Sequence, residues 1–139
     1  MPARPPSSGY SGTPLPRKLG IREDSVTAIV RGPPGFEALL GPLPSGARVS
    51  RSGRGRRDLT IWFVRSAAEL RRAIPAMVEA SRSGGVWIAW PKKASGVATD
   101  LTGDVVRRHG LAARLVDHKV CAIDSTWSGL RFALRRKQR

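Results

Sequence analysis

Gly85-Val86-Trp87-Ile88-Ala89-Trp90-Pro91-Lys92-Lys93-Ala94-Ser95-Gly96 is the stretch that decides the fold of this chain. Every residue from Val86 to Trp90 is apolar, as in a strand covered on both faces rather than one alternating between core and water. At Trp90-Pro91 the strand must leave the sheet. Two lysines, a hydroxyl and a glycine hinge then follow at the strand's exit. Two ammonium groups beside a hydroxyl suit an anionic ligand, and a solvated loop is the plainer alternative.

Working outward, Leu59-Thr60-Ile61-Trp62-Phe63-Val64 carries the same apolar signature and belongs at the centre of a sheet. Between the two runs, Ser66 with Glu69 three residues on makes a capping box. The helix it starts is expected over about 67–82, with Pro75 kinking or splitting it and Ser83-Gly84-Gly85 ending it. Upstream, Val26–Val30 reads as a buried strand closed by Gly32-Pro33-Pro34-Gly35, and Phe36–Leu40 as a short helix closed by Gly41-Pro42. A short strand near Ala47–Ser50 meets the basic loop Arg51–Arg57. Downstream, a helix is expected over about 100–109, starting at Thr99-Asp100, with Leu101, Val105 and Val106 on one face and Gly110 as its stop. Ala113–Ile123 reads as a fifth strand, Asp124–Gly129 as a turn and Leu130–Leu134 as a sixth strand.

Strand and helix alternate, which predicts an α/β fold: a three-layer Rossmann-like sandwich with a mostly parallel sheet of about six strands and a C-terminal antiparallel hairpin. Residues 1–8 are Pro/Ser-rich and read as a disordered tail, 9–22 as an arm on the domain, 23–134 as the domain and 135–139 as a basic tail. The alternation, the Gly-Gly before a strand ending in Pro-Lys and the terminal hairpin resemble the sheet of S-adenosylmethionine-dependent methyltransferases, shortened in its early units. That likeness implies the strand order 2-1-3-4-6-5.

The net charge of +15 is concentrated. Residues 1–22, 48–57 and 135–139 hold thirteen of the 25 basic groups and no acid between 48 and 57 or in the tail, leaving the remainder near balance. The basic residues are mostly Arg, so the charge by itself is weak evidence for a polyanion partner. No run of about 18–20 apolar residues offers a membrane span, and the opening residues lack the apolar segment of a signal peptide, so a cytoplasmic location is expected. The single cysteine, Cys121, lies in an apolar run and reads as a small buried hydrophobe.

In a parallel sheet the loops after the strands share the carboxyl edge, where open α/β folds bind ligands. The distinctive residues fall there, and a crevice is expected between the loops after strands one and three. The candidate ligand-binding residues are Lys92 and Lys93 for charge, Ser95 and Thr99 for hydrogen bonds, and Trp127, placed in the hairpin turn, as a stacking face. Free N–H groups of a helix start near Thr99-Asp100 would add to the anion site, although Asp100 suits a cap of its own helix equally well. Trp62, Trp87 and Trp90 read as core. No catalytic residue and no metal site is assigned: there is no Gly-x-Gly-x-x-Gly after strand one, no phosphate-binding Gly-Lys-Ser/Thr run and no acidic residue at the end of strand two to hold ribose hydroxyls. The two prolines after strand one remove N–H donors that a phosphate cradle needs.

Gly9-Tyr10-Ser11-Gly12-Thr13-Pro14-Leu15, Trp90–Gly96 followed by Val97–Thr102, and Lys119–Asp124 with Thr126–Leu130 together resemble the actinobacterial family called domain of unknown function 3052. The resemblance runs from about residue 9 to 134 and implies domain limits and an actinobacterial cytoplasmic protein, and no established activity. The Arg51–Arg57 cluster has no counterpart in that pattern. The leading expectation is a non-catalytic Rossmann-like module that binds a small anionic ligand or an acidic partner segment at the carboxyl edge. The alternatives are non-specific nucleic-acid association through Arg51, Arg54, Arg56 and Arg57 with the basic tails, and a degenerate methyltransferase. No cofactor is assigned.

Overall fold

The computed structural model describes residues 12–52 and 55–135. The expectations for residues 1–11, for Arg54 and for residues 136–139 lie outside the described residues. In chain order the elements are helix α1 (Leu15–Leu19), strand β1 (Val26–Val30), helix α2 (Phe36–Leu40), strand β2 (Arg48–Ser50), strand β3 (Leu59–Phe63), helix α3 (Ala67–Ser81), strand β4 (Gly85–Pro91), a 3₁₀ turn (Lys93–Ser95), helix α4 (Gly103–Ala112), strand β5 (Leu115–Ala122) and strand β6 (Trp127–Leu134).

The strands form one six-stranded sheet in the order β2-β1-β3-β4-β6-β5, as the likeness implied. β2, β1, β3 and β4 run parallel, and β6 pairs antiparallel with both β4 and β5. Two apolar cores sit on its faces. Ile29, Ile61, Phe63 and Trp87 point toward α1 and α2, where Leu19, Phe36 and Leu40 meet them. Val86, Ile88, Leu130 and Phe132 point toward α3 and α4, where Leu70, Met77, Leu101 and Val106 complete the second core. β3 and β4 feed both layers, which is why nearly all their residues are apolar. The arm joins the first core: the Trp87 indole N–H donates to the Leu19 carbonyl at 2.8 Å.

Four expectations change. Pro75 does not split α3; it lies on the exposed face, where water reaches the carbonyl left without a donor. α4 starts at Gly103 rather than near Asp100, because the Thr102 hydroxyl accepts from the Val105 N–H at 3.2 Å and so caps the helix. Gly110 does not stop α4. It is buried inside the helix, and a Cβ there would lie 2.4 Å from the Phe132 ring, so the glycine permits a close helix-to-sheet approach. β6 begins at Trp127, which pairs with Pro91, so that residue belongs to a strand and not to the turn.

The connection from β2 to β3 is residues 51–58 and holds no helix among its described residues. Parallel crossovers usually take a dozen or more residues and a helix. Here the connection is shorter, and Arg57 near its end lines a cavity with Val30, Trp62 and Glu79. Among the described residues no helix covers β1 on the side of that cavity, and Trp62 is only half-buried. Among the described residues no helix is long and apolar enough to cross a membrane.

Candidate functional site

The carboxyl edge collects the residues singled out in the sequence. The Lys92 N–H donates to the Thr126 carbonyl at 2.8 Å, and Trp127 stands beside Pro91 in the ladder, so the lysine pair and the indole share one rim. Lys92 is half-buried and Lys93 exposed. Neither ammonium makes an ion pair or hydrogen bond with the described residues. The carboxylates of the same rim are all engaged. Glu37 pairs with Arg51, Glu69 with Arg31, Asp100 Oδ1 accepts from the Ala67 N–H, and Asp124 Oδ1 accepts from the N–H groups of Thr126 and Trp127.

The two hydroxyls hold turns. Ser95 Oγ donates to the Lys92 carbonyl at 2.6 Å and accepts from the Val97 N–H at 3.1 Å. Thr99 Oγ1 donates to the Arg65 carbonyl at 2.8 Å and accepts from the Leu101 N–H at 3.1 Å. Each therefore shapes the loop that carries the lysines. Asp100 caps a helix, but the neighbouring one: its bond goes to the first residue of α3. The free helix-start N–H groups expected at Thr99-Asp100 are accordingly not there, because α4 begins later.

Trp127 is 7% exposed. Its ring meets Phe63 edge to face at 4.9 Å between centroids, and the Arg65 guanidinium lies 5.2 Å from its centroid. The indole thus supports the rim from below, and a cation already occupies its neighbourhood. Arg65 is the residue that sequence reasoning missed; its position just after β3 was the available signal.

At the reversal of winding between β1 and β3, Arg65 Nη1 donates to the Arg31 carbonyl at 3.2 Å and Arg31 pairs with Glu69, so the two loops that flank the expected crevice are tied to each other. Arg51 leaves the end of β2 and folds over the loop after β1, donating to the carbonyls of Gly32 at 2.9 Å and Pro33 at 2.8 Å. It also grips both oxygens of Glu37, at 2.7 and 2.9 Å. The Arg51 hydrogen bond is the chief reason the Glu37 carboxyl is held down to about 2. A Cβ on Gly32 would approach Ile29, Arg51 and Phe63, so little room remains beneath that loop. A nucleoside cofactor does not fit this arrangement: the first loop shows carbonyls where donors are needed, and an arginine stands where ribose hydroxyls require an acceptor. Open space lies instead on the α3 side, as a cavity of about 400 Å³ beside Trp62, Arg57 and Glu79 and another of about 200 Å³ beside Arg31, Trp62 and Arg72.

Of the basic loop, Arg56 pairs with Asp58 at 3.0 Å and Arg51 with Glu37, so two of its four arginines are tied to carboxylates of the domain. Among the described residues no group of three or more His, Cys, Asp or Glu side chains gathers as a metal site would. Cys121 is buried, and burial pushes its thiol up from the usual range.

Two solved structures share this architecture. A protein of the NADB-Rossmann superfamily from Streptococcus agalactiae superimposes with a TM-score of 0.55 at 6% identity, covering 94% of this chain and 71% of that one. A SAM-dependent methyltransferase from Aquifex aeolicus superimposes with a TM-score of 0.50 at 11% identity, covering 84% and 85%. The fold is Rossmann-like. No family model and no curated protein matches the sequence.

Proposed function

We propose that this Rossmann-like chain is a non-catalytic binding module that takes an anionic ligand on its carboxyl edge, with Lys92 and Lys93 supplying the attracting charge. The supporting observation is the imbalance on that rim: two adjacent ammonium groups have no partner among the described residues, while every neighbouring carboxylate is engaged by an arginine or by backbone N–H groups. Because Arg51 covers the carbonyls of the loop after β1, against which a nucleoside cofactor would lie, a surface-bound acidic segment of a partner protein suits the rim better than a buried small molecule. Ser95 and Thr99 set the loop's shape, and Trp127 with Arg65 forms its floor. Membership of the domain of unknown function 3052 family and a cytoplasmic location belong to the same proposal.

A fluorescein-labelled hexaglutamate peptide followed by anisotropy tests the reading. Each charge-assisted bond contributes about 1.5–3 kcal/mol, so the double change Lys92→Ala, Lys93→Ala weakens the peptide by about tenfold or more at low salt. Affinity unchanged in the double variant rejects the lysine assignment.

A further inference from the structure

The amino edge of the sheet, at the far end of β4 and about 20 Å from Lys92 at about 3.3 Å per residue, holds a second and more enclosed polar site. Its centre is Arg131 of β6. This side chain runs under the arm and across the start of β4: a Cβ on Gly20 would lie 2.4 Å from Arg131 Nη1, and one on Gly85 would lie 2.6 Å from Nε. The guanidinium occupies the space that a side chain at either glycine would take. Behind it opens a cavity of about 290 Å³, walled by Arg22, Ser25, Asp58, Gly84 and Gly85.

Arg131 is half-buried and has no ion-pair partner among the described residues. Its Nε is buried without an acceptor among the described residues. Its one hydrogen bond, from Nη1 to the Leu19 carbonyl, is 3.5 Å long, and that carbonyl already accepts from the Trp87 indole at 2.8 Å. All ten side-chain carboxylates of the sequence lie among the described residues, and none forms an ion pair with Arg131. Asp58 shares the cavity wall but is committed elsewhere: Oδ2 accepts from the Val26 N–H at 2.8 Å, and the carboxylate pairs with Arg56 at 3.0 Å. Arg22 brings a second positive charge to the same space; burial first and Arg22 second make the Arg131 cation harder to hold. A half-buried guanidinium beside a like charge, with no carboxylate in ion-pair contact, is costly unless something neutralises it.

We propose that this cavity is an oxyanion site in which Arg131, with Arg22, binds a small phosphate or carboxylate group. A guanidinium fork matches either group with paired N–H donors. The recessed position under the arm excludes a polymer backbone and selects a small ligand or a terminal group. The site is separate from the lysine rim and does not depend on it.

Titration calorimetry of the full chain with inorganic phosphate, and separately with acetate, at constant ionic strength tests this and distinguishes the two chemistries. Binding of at least one anion below 10 mM is expected, weakened about tenfold or more in Arg131→Met, which keeps length and removes the fork. Arg22→Met, an exposed change that does not threaten folding, weakens it about threefold or more and decides the matter if Arg131→Met fails to fold. No binding of either anion to the native chain at 10 mM, or affinity unaltered by both arginine variants, overturns the proposal.

Discussion

Single residues carry three separable consequences. Glu37 is an exposed carboxylate whose value is lowered from 4.5 to about 2 by Arg51. A depressed carboxyl contributes stability that is fully present above 4.5 and lost as pH falls toward 2. Because 43% of the Glu37 side chain and 38% of Arg51 meet solvent, screening keeps the contribution small. Glu37→Gln is therefore expected to cost less than about 1 kcal/mol at pH 7 in urea unfolding, and its difference from the native chain to shrink as pH drops through that window; a pH-independent difference contradicts the pairing. Thr60 makes the opposite case. Its hydroxyl is buried on β3 without a partner among the described residues, so Thr60→Val keeps the shape and removes a desolvated polar atom. Stability should stay level or rise by about 1 kcal/mol, and a loss of that size shows that the hydroxyl has an acceptor. Cys121, buried with its thiol pushed up, should resist a thiol reagent at pH 8 in the native state and react on unfolding. Rapid native labelling refutes the burial.

Among elements, the packing of α4 on β6 turns on Gly110. Replacing a mid-helix glycine by alanine normally stabilises by about 0.5–1 kcal/mol, yet here the added methyl would meet the Phe132 ring at 2.4 Å. Gly110→Ala is expected to destabilise by about 1–3 kcal/mol, and a stabilised variant shows that the helix has slack to move. α3 is held at its start by two caps, Ser66 within its own segment and Asp100 from the loop after β4. Asp100→Ala should cost about 0.5–2 kcal/mol and also loosen the loop bearing the lysines, so the hexaglutamate affinity reports it as well. The Ser66 cap was legible because both partners stand three residues apart, whereas the Asp100 bond joins positions 33 apart and has no local signature.

For the whole molecule, helices pack on both faces of the sheet, and among the described residues no helix joins β2 to β3. The β2–β3 crossover takes residues 51–58 without a described helix, Trp62 is half-buried, and the arginine at the head of that crossover covers the loop after β1. A chain so arranged should show no calorimetric binding of S-adenosylmethionine; micromolar affinity would contradict the reading of Arg51 as an obstacle. Strand identities and the rim shared by Lys92 and Trp127 were readable from the sequence, because two-sided burial writes unbroken apolar runs and parallel winding sends the loops after the strands to one edge, while the strand order came from the likeness to methyltransferase sheets. Which charges are free was not readable. Arg51 with Glu37, Arg65 with Trp127 and the unpaired Arg131 are set by residues 14, 62 and more positions apart; Coulomb and hydrogen-bond partners act through space at a few ångströms, and only the folded chain brings those atoms, or fails to bring them, within that reach.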